Sequence, residues 1–435
     1  MSEQQVVRFA AASRVAVSLL AALSAWLVTP YDSSSRLLAG GKSVGALAGF
    51  ANWDGVYYVH IARFGYEYEH FHAFFPFYPA LVRLLSAALP LAPETAILVS
   101  GWFISNVSFV AAALYLYRLG VLVLPDERVA RRAAYLFSVA PSSIFMSAVY
   151  SESLMCLLSF SGMYYLEKDS AASTTSRAVP SRNLIISAFL FGAASLTRSN
   201  GILLSFGCSL YIAWRRLLAS PKPHTQPTLF LGYWVCTAML GLVAIGPQIA
   251  YYVAGIVRYC PSLVGSVLGT EQGTVEDRSW CKDVVPNISA MYIFVQREYW
   301  NVGVFRYYEW RQLPNFLLAA PMLALSVHSL ASYFSDRWSR RKGLKKASSR
   351  RFGDAVAQYY VHWLFLLVNA LLVVHIQVTT RLLAACPPLF WHPAALGFAG
   401  QDMQSVTRYG TVVVGYFLLF SVLGAVLFPT FYPWT

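Results

Sequence analysis

Charged residues are scarce in this chain. Asp, Glu, Lys and Arg together make up 12% of the 435 residues, whereas about a quarter of a typical soluble domain is charged. Hydrophobic residues make up 57% of the sequence, and the mean hydropathy is +0.51. This composition excludes an ordinary soluble domain and predicts an all-α polytopic membrane protein.

Acidic residues are fewer than basic ones. The sequence has 20 Asp and Glu against 33 Lys and Arg, which gives a formal net charge of +13. Nucleic-acid binding is the weaker interpretation, because the basic residues lie between apolar segments, where cytoplasmic loops carry Lys and Arg. We interpret the basic cluster from Arg337 to Arg351 as a topology signal, with a specific lipid site as the alternative, and we expect no nucleic-acid partner.

Cysteine is also rare, and no spacing of His or Cys predicts a metal site among the six cysteines and eight histidines. His70 and His72 lie two residues apart and would face opposite sides of an extended segment. Cys260 and Cys281 flank the polar half of a predicted outer loop, where an oxidising compartment would permit a disulfide. Sequence alone leaves that pairing open.

Long apolar runs set the predicted topology. A spanning helix needs about 20 mostly apolar residues, and about ten segments qualify, near 9–28, 95–117, 133–150, 153–167, 184–200, 202–218, 228–254, 315–334, 357–377 and 405–428. The stretch 77–91 is either an eleventh span or an interfacial helix. No signal-peptide cleavage site stands out before Pro30, so we expect the first segment to be retained.

The charge asymmetry places the N-terminus inside, and we expect residues 1–435 to form a single membrane domain. A first outer loop covers 29–94, a second outer loop covers 255–314, and a basic cytoplasmic loop covers 335–356. Asn287 lies in a glycosylation sequon within the second outer loop, which predicts N-glycosylation there.

Several ionisable residues fall at the outer ends of the predicted spans. Acids and arginines at a membrane edge are costly and therefore indicate function. Asp54 is either a general base for a sugar hydroxyl or an N-cap of the helix that follows. Arg198 and Arg381 either bind a leaving phosphate or extend their head groups to the interface. Glu152 either lines the site or caps a short turn.

Six motifs, in order along the chain, resemble those of the GPI mannosyltransferase 2 (PIG-V) family. They are WDGVYYVHIARFGYEYEH followed by AFFPFYP at 53–79, YSESL at 150–154, LTRSNG at 196–201, QREYWNVGVFRYYEWRQLPNFLLAAP at 296–321, HIQVTTRLL at 375–383 and FYPWT at 431–435. The resemblance implies a GT-C glycosyltransferase fold in the endoplasmic reticulum membrane, with a lumenal active site.

The same resemblance implies an inverting α-1,6-mannosyltransferase. Its donor would be dolichyl phosphate mannose, and its acceptor would be the lipid-linked precursor of the GPI anchor. Because no metal-ligand constellation is apparent and cationic side chains can bind the phosphate, we also expect no cofactor. Another dolichol-dependent mannosyltransferase, or a non-enzymatic lipid-binding or transport protein, remains the alternative. An accessory membrane subunit is left open.

Residues that match the family motifs are candidates for the site. Asp54 stands at the position of the candidate catalytic acid. The candidate substrate-binding residues are Trp53, Glu69, His70, Glu152, Arg198, Asn200, Trp300, Asn301, Tyr307, Tyr308, Gln377 and Arg381. The resemblance does not assign individual roles to this second group.

Overall fold

The computed structural model describes residues 2–32, 45–172, 180–205, 210, 225–268, 277–343, 352–399 and 405–434. Within these ranges the chain is mostly helical, and one small antiparallel sheet pairs Phe398–Ala399 with Ser405–Val406. The α-helices are α1 Ser2–Leu27, α2 Gly55–Phe64, α3 Phe77–Ala87, α4 Pro93–Val123, α5 Glu127–Ser138, α6 Glu152–Ala172, α7 Arg182–Ser195, α8 Pro227–Tyr259, α9 Pro261–Leu268, α10 Ala290–Trp300, α11 Leu313–Arg341, α12 Ala357–Leu372, α13 Thr379–Leu382, α14 Pro388–Leu396 and α15 Arg408–Leu427.

Helix α1 shows how the apolar sequence builds a membrane bundle. Its buried residues recur every three or four positions and are Val6, Ala10, Arg14, Val17, Ala21 and Ser24. This spacing places them on one face of the helix. The opposite side exposes large apolar side chains such as Leu19 and Leu23. A helix of this kind suits a bundle whose outer surface contacts lipid.

Six of the described helical segments are long and apolar enough to cross a membrane. They are Ser2–Leu27, Pro93–Val123, Pro227–Tyr259, Trp310–Arg341, Asp354–Leu372 and Arg408–Thr430. The structure therefore supports a multi-pass membrane protein, but it does not confirm the predicted count of ten spans. The predicted span 202–218 falls largely outside the described residues.

The predicted span 133–150 is wrong. Helix α5 ends at Ser138, and residues 139–151 form a succession of turns that is almost completely buried. Pro141 disfavours a helical conformation at the residue before it and has no amide hydrogen to donate. Irregular backbone is tolerated at membrane depth only when protein surrounds it. We call residues 139–151 the buried loop.

Arg14 and Gly101 accommodate the buried loop. Arg14 is 3% exposed, and its guanidinium donates hydrogen bonds to the carbonyls of Ser138 and Ser143 and to the hydroxyls of Ser143 and Ser147. A Cβ atom at Gly101 would lie 2.6 Å from a methyl group of Val149. Arg14 thus binds the loop through hydrogen bonds, and the absence of a side chain at Gly101 leaves room for Val149.

Four further predicted segments need adjustment. Helix α3 has 11 residues, which span about 16 Å at 1.5 Å per residue, so it is too short to cross a bilayer core of about 30 Å. This favours the interfacial alternative for 77–91. Segments 153–167 and 184–200 correspond to α6 and α7, which are not among the six candidate spans. Segment 357–377 ends early, because α12 stops at Leu372.

The two predicted outer loops share a small core of their own. Cys260 and Cys281 are joined by a disulfide bond, and both are buried with Trp280 and Met291 in one cluster. The indole nitrogen of Trp280 donates a hydrogen bond of 2.6 Å to the carboxylate of Glu69. The second outer loop is therefore fastened directly to the first, beside the segment that carries Asp54.

Candidate active site

Asp54 lies in a tight turn that precedes helix α2. Its backbone amide donates a hydrogen bond of 2.9 Å to the hydroxyl of Tyr150, which in turn donates one of 3.2 Å to the carbonyl of Asn52. Trp53 has a left-handed backbone with φ of 58°. A Cβ atom at Gly55 would come within 3.3 Å of the Tyr150 ring, so the turn is packed closely against the end of the buried loop.

The carboxylate of Asp54 does not cap helix α2. Asp54 has helical dihedral angles, φ −60° and ψ −22°, and its side chain makes no capping hydrogen bond. It accepts instead a hydrogen bond of 2.8 Å from Nη1 of Arg381. The geometry thus agrees with the site interpretation of Asp54 rather than with the N-cap alternative.

Arg381 occupies the centre of a line of alternating charges. Its Nη1 lies 2.8 Å from Asp54 Oδ2 and 3.6 Å from Glu152 Oε1. Its guanidinium also lies over the rings of Phe145 and Tyr150, at 4.7 and 5.7 Å from their centroids. Burial opposes the charge, but Asp54 and Glu152 outweigh it and raise the pKa of Arg381 above its ordinary value.

Glu152 joins the two arginines that the sequence singled out. Nη1 of Arg198 lies 2.5 Å from Oε1 of Glu152 and 3.3 Å from the hydroxyl of Ser151. Glu152 is 2% exposed and begins helix α6, where the helix dipole favours a negative charge. We call Asp54, Arg381, Glu152 and Arg198 the charge chain.

The charge chain can perform acid–base and anion-binding chemistry. The Asp54 carboxylate is the more accessible end, with a side chain that is 37% exposed, while Arg381 is 11% exposed. The Asp54 carboxylate can accept a proton from a hydroxyl group, and the guanidinium of Arg381 beside it can bind an anionic group. In the described part of the chain, no group of three His, Cys, Asp or Glu side chains is arranged to hold a metal ion.

Aromatic rings form a wall next to Asp54. Tyr57 stacks on Phe74 at 4.6 Å between centroids and meets the edge of Trp300 at 6.0 Å. Burial and the negative charge of Asp54 raise the pKa of Tyr57. His70 packs against Trp300 at 6.2 Å, and burial lowers its pKa. Trp53, Trp300 and His70 are therefore all brought near the Asp54 turn.

Other predicted site residues are occupied by protein contacts. Glu69 accepts hydrogen bonds from Trp280 and from the hydroxyl of Tyr299. The hydroxyl of Tyr307 donates to Gln377, and that of Tyr308 donates to the carbonyl of Leu371 at 2.7 Å. These contacts stabilise the loops around the site. The side chains of Glu69, Tyr307, Tyr308 and Gln377 are therefore already hydrogen-bonded to the protein.

Two predicted asparagines lie at helix ends. Asn301 closes helix α10 in a left-handed conformation, φ 52°, and its amide donates to the carbonyl of Gln296. Asn200 begins a helical turn through its carbonyl, which accepts from the amide of Leu203 at 3.2 Å. It stands two residues after Arg198. Backbone geometry thus accounts for Asn301, whereas Asn200 stays a candidate through its closeness to Arg198.

Sequence reasoning missed three residues that organise the site. Arg14 donates hydrogen bonds to the buried loop, and the hydroxyl of Tyr150 accepts one from the amide of Asp54. Asn52, two residues before Asp54, donates a hydrogen bond to the carbonyl of Phe428. A lone arginine inside an apolar segment is a recognised signal of function or structure, so Arg14 was detectable. Tyr150 lies in the YSESL motif but carries no charge, and nothing in the sequence distinguishes Asn52.

Sequence comparisons match the whole chain to one family. A family model described as Mannosyltransferase (PIG-V) matches residues 3–435. The chain is 30% identical over 509 residues to the GPI alpha-1,6-mannosyltransferase 2 of Cricetulus griseus, which covers 100% of this chain and 99% of the relative. It is 29% identical over 512 residues to the protein of that name from Homo sapiens, with the same coverage. The GPI mannosyltransferase 2 of Drosophila pseudoobscura pseudoobscura is 33% identical, with 90% of this chain and 87% of that protein covered.

Structural comparison identifies the fold. The archaeal oligosaccharyltransferase AglB from Archaeoglobus fulgidus, solved with an inhibitory peptide and a dolichol-phosphate, matches with a TM-score of 0.52 at 12% sequence identity. The match covers 95% of this chain and 56% of the solved one, so this chain spans little more than half the length of AglB. At this identity the likeness shows the fold alone, and it confirms the predicted GT-C fold.

Proposed function

This chain belongs to the mannosyltransferase (PIG-V) family, and on that premise we propose that it transfers the second mannose of the GPI anchor. The donor is dolichyl phosphate mannose, the acceptor is the first mannose of the lipid-linked precursor, and the new bond is an α-1,6 linkage. The observation that supports this most directly is the Asp54 carboxylate, half-exposed and 2.8 Å from the guanidinium of Arg381. A general base thus stands next to a cation for the leaving phosphate.

Asp54 is the general base in this proposal. The donor sugar is β-linked and the product is α-linked, so one displacement with inversion is required. The 6-hydroxyl oxygen of the acceptor attacks the anomeric carbon and forms the new C–O bond, while its proton passes to Asp54. The bond from the anomeric carbon to the phosphate oxygen breaks, and the electron pair leaves with dolichyl phosphate.

Arg381 meets the developing negative charge on the leaving phosphate. Its planar guanidinium has five N–H donors, and only Nη1 is used toward Asp54 and Glu152. The remaining donors suit bidentate binding of a phosphate. Arg198 provides a second cation that Glu152 holds in place. We propose that these arginines supply the positive charge and that no metal cofactor takes part.

The aromatic wall bounds the mannose. Tyr57, Trp300 and Trp53 present ring surfaces beside the Asp54 turn, and apolar ring faces suit the C–H groups of a sugar. The dolichyl chain would lie along the lipid-exposed faces of the membrane helices. We place this site on the lumenal side of the endoplasmic reticulum membrane, because the charge asymmetry predicts that side for both outer loops.

Complementation tests the proposed reaction. The chain is expressed in cells that lack the second GPI mannosyltransferase, and the lipid-linked precursors are identified by mass spectrometry before and after α-1,6-specific mannosidase. We expect GPI-anchored proteins to return to the cell surface and a precursor with a removable second mannose to appear. An Asp54→Asn variant is the matched control. Continued accumulation of the one-mannose precursor, with the protein present in the membrane, would rule out this activity.

Topology is tested separately in sealed microsomes. A tag beside Asn287 should resist added protease, whereas a tag beside Lys342 should be cleaved. Asn287 also provides a chemical marker, because Asn287-Ile288-Ser289 is a glycosylation sequon that is modified only on the lumenal side. We expect a mobility shift on glycosidase treatment that Asn287→Gln abolishes. Protection of the Lys342 tag instead would place the active site on the cytosolic face.

A further inference from the structure

The segment Phe428–Phe431, which we call the C-terminal turn, lies directly against the Asp54 turn. The side-chain amide of Asn52 donates hydrogen bonds to the carbonyls of Phe428 and Pro429, at 3.1 and 3.0 Å. Asn52 is 2% exposed. A Cβ atom at Gly49 would lie 2.9 Å from Cβ of Pro429, so the two segments touch along several residues. The Asp54 turn therefore rests on chain that is distant in sequence.

The C-terminal turn also contacts the rings that underlie Arg381. The ring of Phe428 lies 5.3 Å from that of Phe145 and 5.6 Å from that of Tyr150. These are the two rings over which the Arg381 guanidinium is placed. One short segment thus supports the carboxylate through Asn52 and the guanidinium through Phe428.

Two strained residues meet at this contact. Trp53 and Phe431 both have left-handed backbones, φ 58° and 61°, a conformation that bulky residues rarely adopt. Their rings lie 5.4 Å apart. Strained backbone of this kind persists only where the surrounding structure holds it, and it concentrates at functional sites. The strain sits at the residue immediately before the proposed base.

We infer that Asn52 is a positioning residue for the transfer reaction, which fixes the Asp54 turn to the two carbonyls of the C-terminal turn. The inference rests on the proposed role of Asp54. Asn52 is buried and its amide is already bonded to the protein, so it acts through Asp54 and not on substrate. Reaction geometry tolerates little error, since a displacement of about 1 Å costs on the order of 10²-fold in rate.

The test begins with Asn52→Asp, which keeps the shape of the side chain and removes the amide donor. We expect kcat for mannose transfer to fall on the order of 10²-fold, with KM for dolichyl phosphate mannose nearly unchanged, because the lost contact matters in the transition state. Asn52→Ser retains one donor and should give an intermediate kcat. If the Asn52→Asp protein does not accumulate, the kcat of Asn52→Ser becomes the test. A wild-type kcat in Asn52→Ser would overturn the inference.

A double mutant separates positioning from general stability. In an Asp54→Asn background the base is already absent, so adding Asn52→Ser should cost no further activity. Multiplication of the two losses would overturn the inference, because it would mean that Asn52 acts on the fold at large. Ser187→Ala is the matched control, since it removes a buried hydrogen bond of 2.9 Å to the carbonyl of Gly162, away from the charge chain. Its turnover per folded molecule should match wild type.

The outcomes also separate this inference from the proposed function. Full activity of Asp54→Asn would refute the proposed base. A lowered kcat in Asn52→Asp would then have to arise through a group other than Asp54, so this result would overturn the inference as well. An inactive Asp54→Asn together with wild-type kcat in both Asn52 variants leaves the proposed base intact and overturns only the role of Asn52.

Discussion

The Asp54 carboxylate and the Arg381 guanidinium are hydrogen-bonded at 2.8 Å across 327 residues of chain. One residue is the proposed base and the other the proposed ligand of the leaving phosphate. Their contact means that the proton acceptor and the anion-binding group share one rigid position relative to each other. In the proposed reaction, a sugar phosphate bound by Arg381 would have its anomeric carbon close to Asp54.

Replacement of the base is the first prediction. Asp54→Asn keeps the size of the side chain and an oxygen that accepts from Arg381, but it removes the group that takes the proton. A positioned base contributes about 10²–10⁴-fold to rate, so we expect a loss of that order at normal protein levels. Asp54→Glu should recover little, because the extra methylene displaces the carboxylate. Mannose transfer in microsomes, at matched abundance, measures both variants.

Near-normal transfer by Asp54→Asn would refute the base assignment. Glu69 would then be a poor replacement, because Trp280 and Tyr299 already donate to its two oxygens.

The second prediction concerns Arg381. Arg381→Ala would leave Asp54 without its cation and Glu152 with Arg198 alone, so a loss of activity there would mix with a loss of stability. Arg381→Lys is more informative, since it retains the charge and loses the planar fork. We expect a stable protein whose kcat is lowered on the order of 10²-fold. Arg118→Lys, which alters an exposed ion pair with Glu3, should transfer mannose normally.

The members of the charge chain could be predicted as candidates but not as partners. Each is an ionisable side chain next to an apolar segment, which is costly unless used. Their pairing depends on how helices α2, α6 and α13 pack, and no local pattern encodes that. The same limit explains Glu69 and Gln377, which match family motifs and are candidates for substrate binding, and which the structure shows bonded to protein groups.

The hydropathy pattern predicts a wrong span where an apolar segment is surrounded by protein instead of lipid. Residues 133–150 are apolar enough to resemble a span, yet the buried loop is surrounded by other helices. Carbonyls of Ala140, Ser142, Ile144 and Ala148 accept hydrogen bonds from amides within the loop, and that of Ser143 also accepts one from Arg14. An apolar composition indicates only that a segment avoids water, and it does not distinguish a lipid-facing helix from an irregular segment inside the bundle.

Arg14 provides the third prediction. Its side chain donates three hydrogen bonds to the buried loop and one to the carbonyl of Ser138 just before it, and bonds from a charged group contribute about 1.5–3 kcal/mol each. We expect Arg14→Met to reduce the free energy of unfolding by about 3 kcal/mol or more, with a lower thermal midpoint in detergent. Arg8→Met, on the exposed side of the same helix, should unfold like wild type. An unchanged midpoint for Arg14→Met would contradict this role.

The fourth prediction is a pH dependence of stability. His72 is 5% exposed, and neither ring nitrogen is hydrogen-bonded to a described residue. Burial and then the charge of Arg258 lower the pKa of His72 to about 4. The unfolded chain, with an ordinary pKa of about 6.5, takes up the proton first as pH falls. Stability from this group is therefore complete above about pH 6.5 and declines toward pH 4.

The expected size of the effect is about 2 kcal/mol between pH 7 and pH 5. His72 stacks on Tyr66 at 4.5 Å, so His72→Phe preserves the packing and removes the titrating group. Thermal unfolding in detergent at both pH values should show a smaller decrease for His72→Phe than for wild type. Equal decreases in the two proteins would assign the pH dependence to other groups.

The contact between Asn52 and the C-terminal turn has a consequence for biosynthesis. Asn52 donates to carbonyls 376 and 377 residues further along the chain, so its partners are translated long after it has been inserted into the membrane. During that interval the Asp54 turn lacks this support, and until residue 381 is made it also lacks the contact with Arg381. On the proposed roles of Asp54 and Asn52, the catalytic geometry is complete only after helix α15 and the C-terminal turn have been translated, so the order of translation delays activity until the protein is assembled.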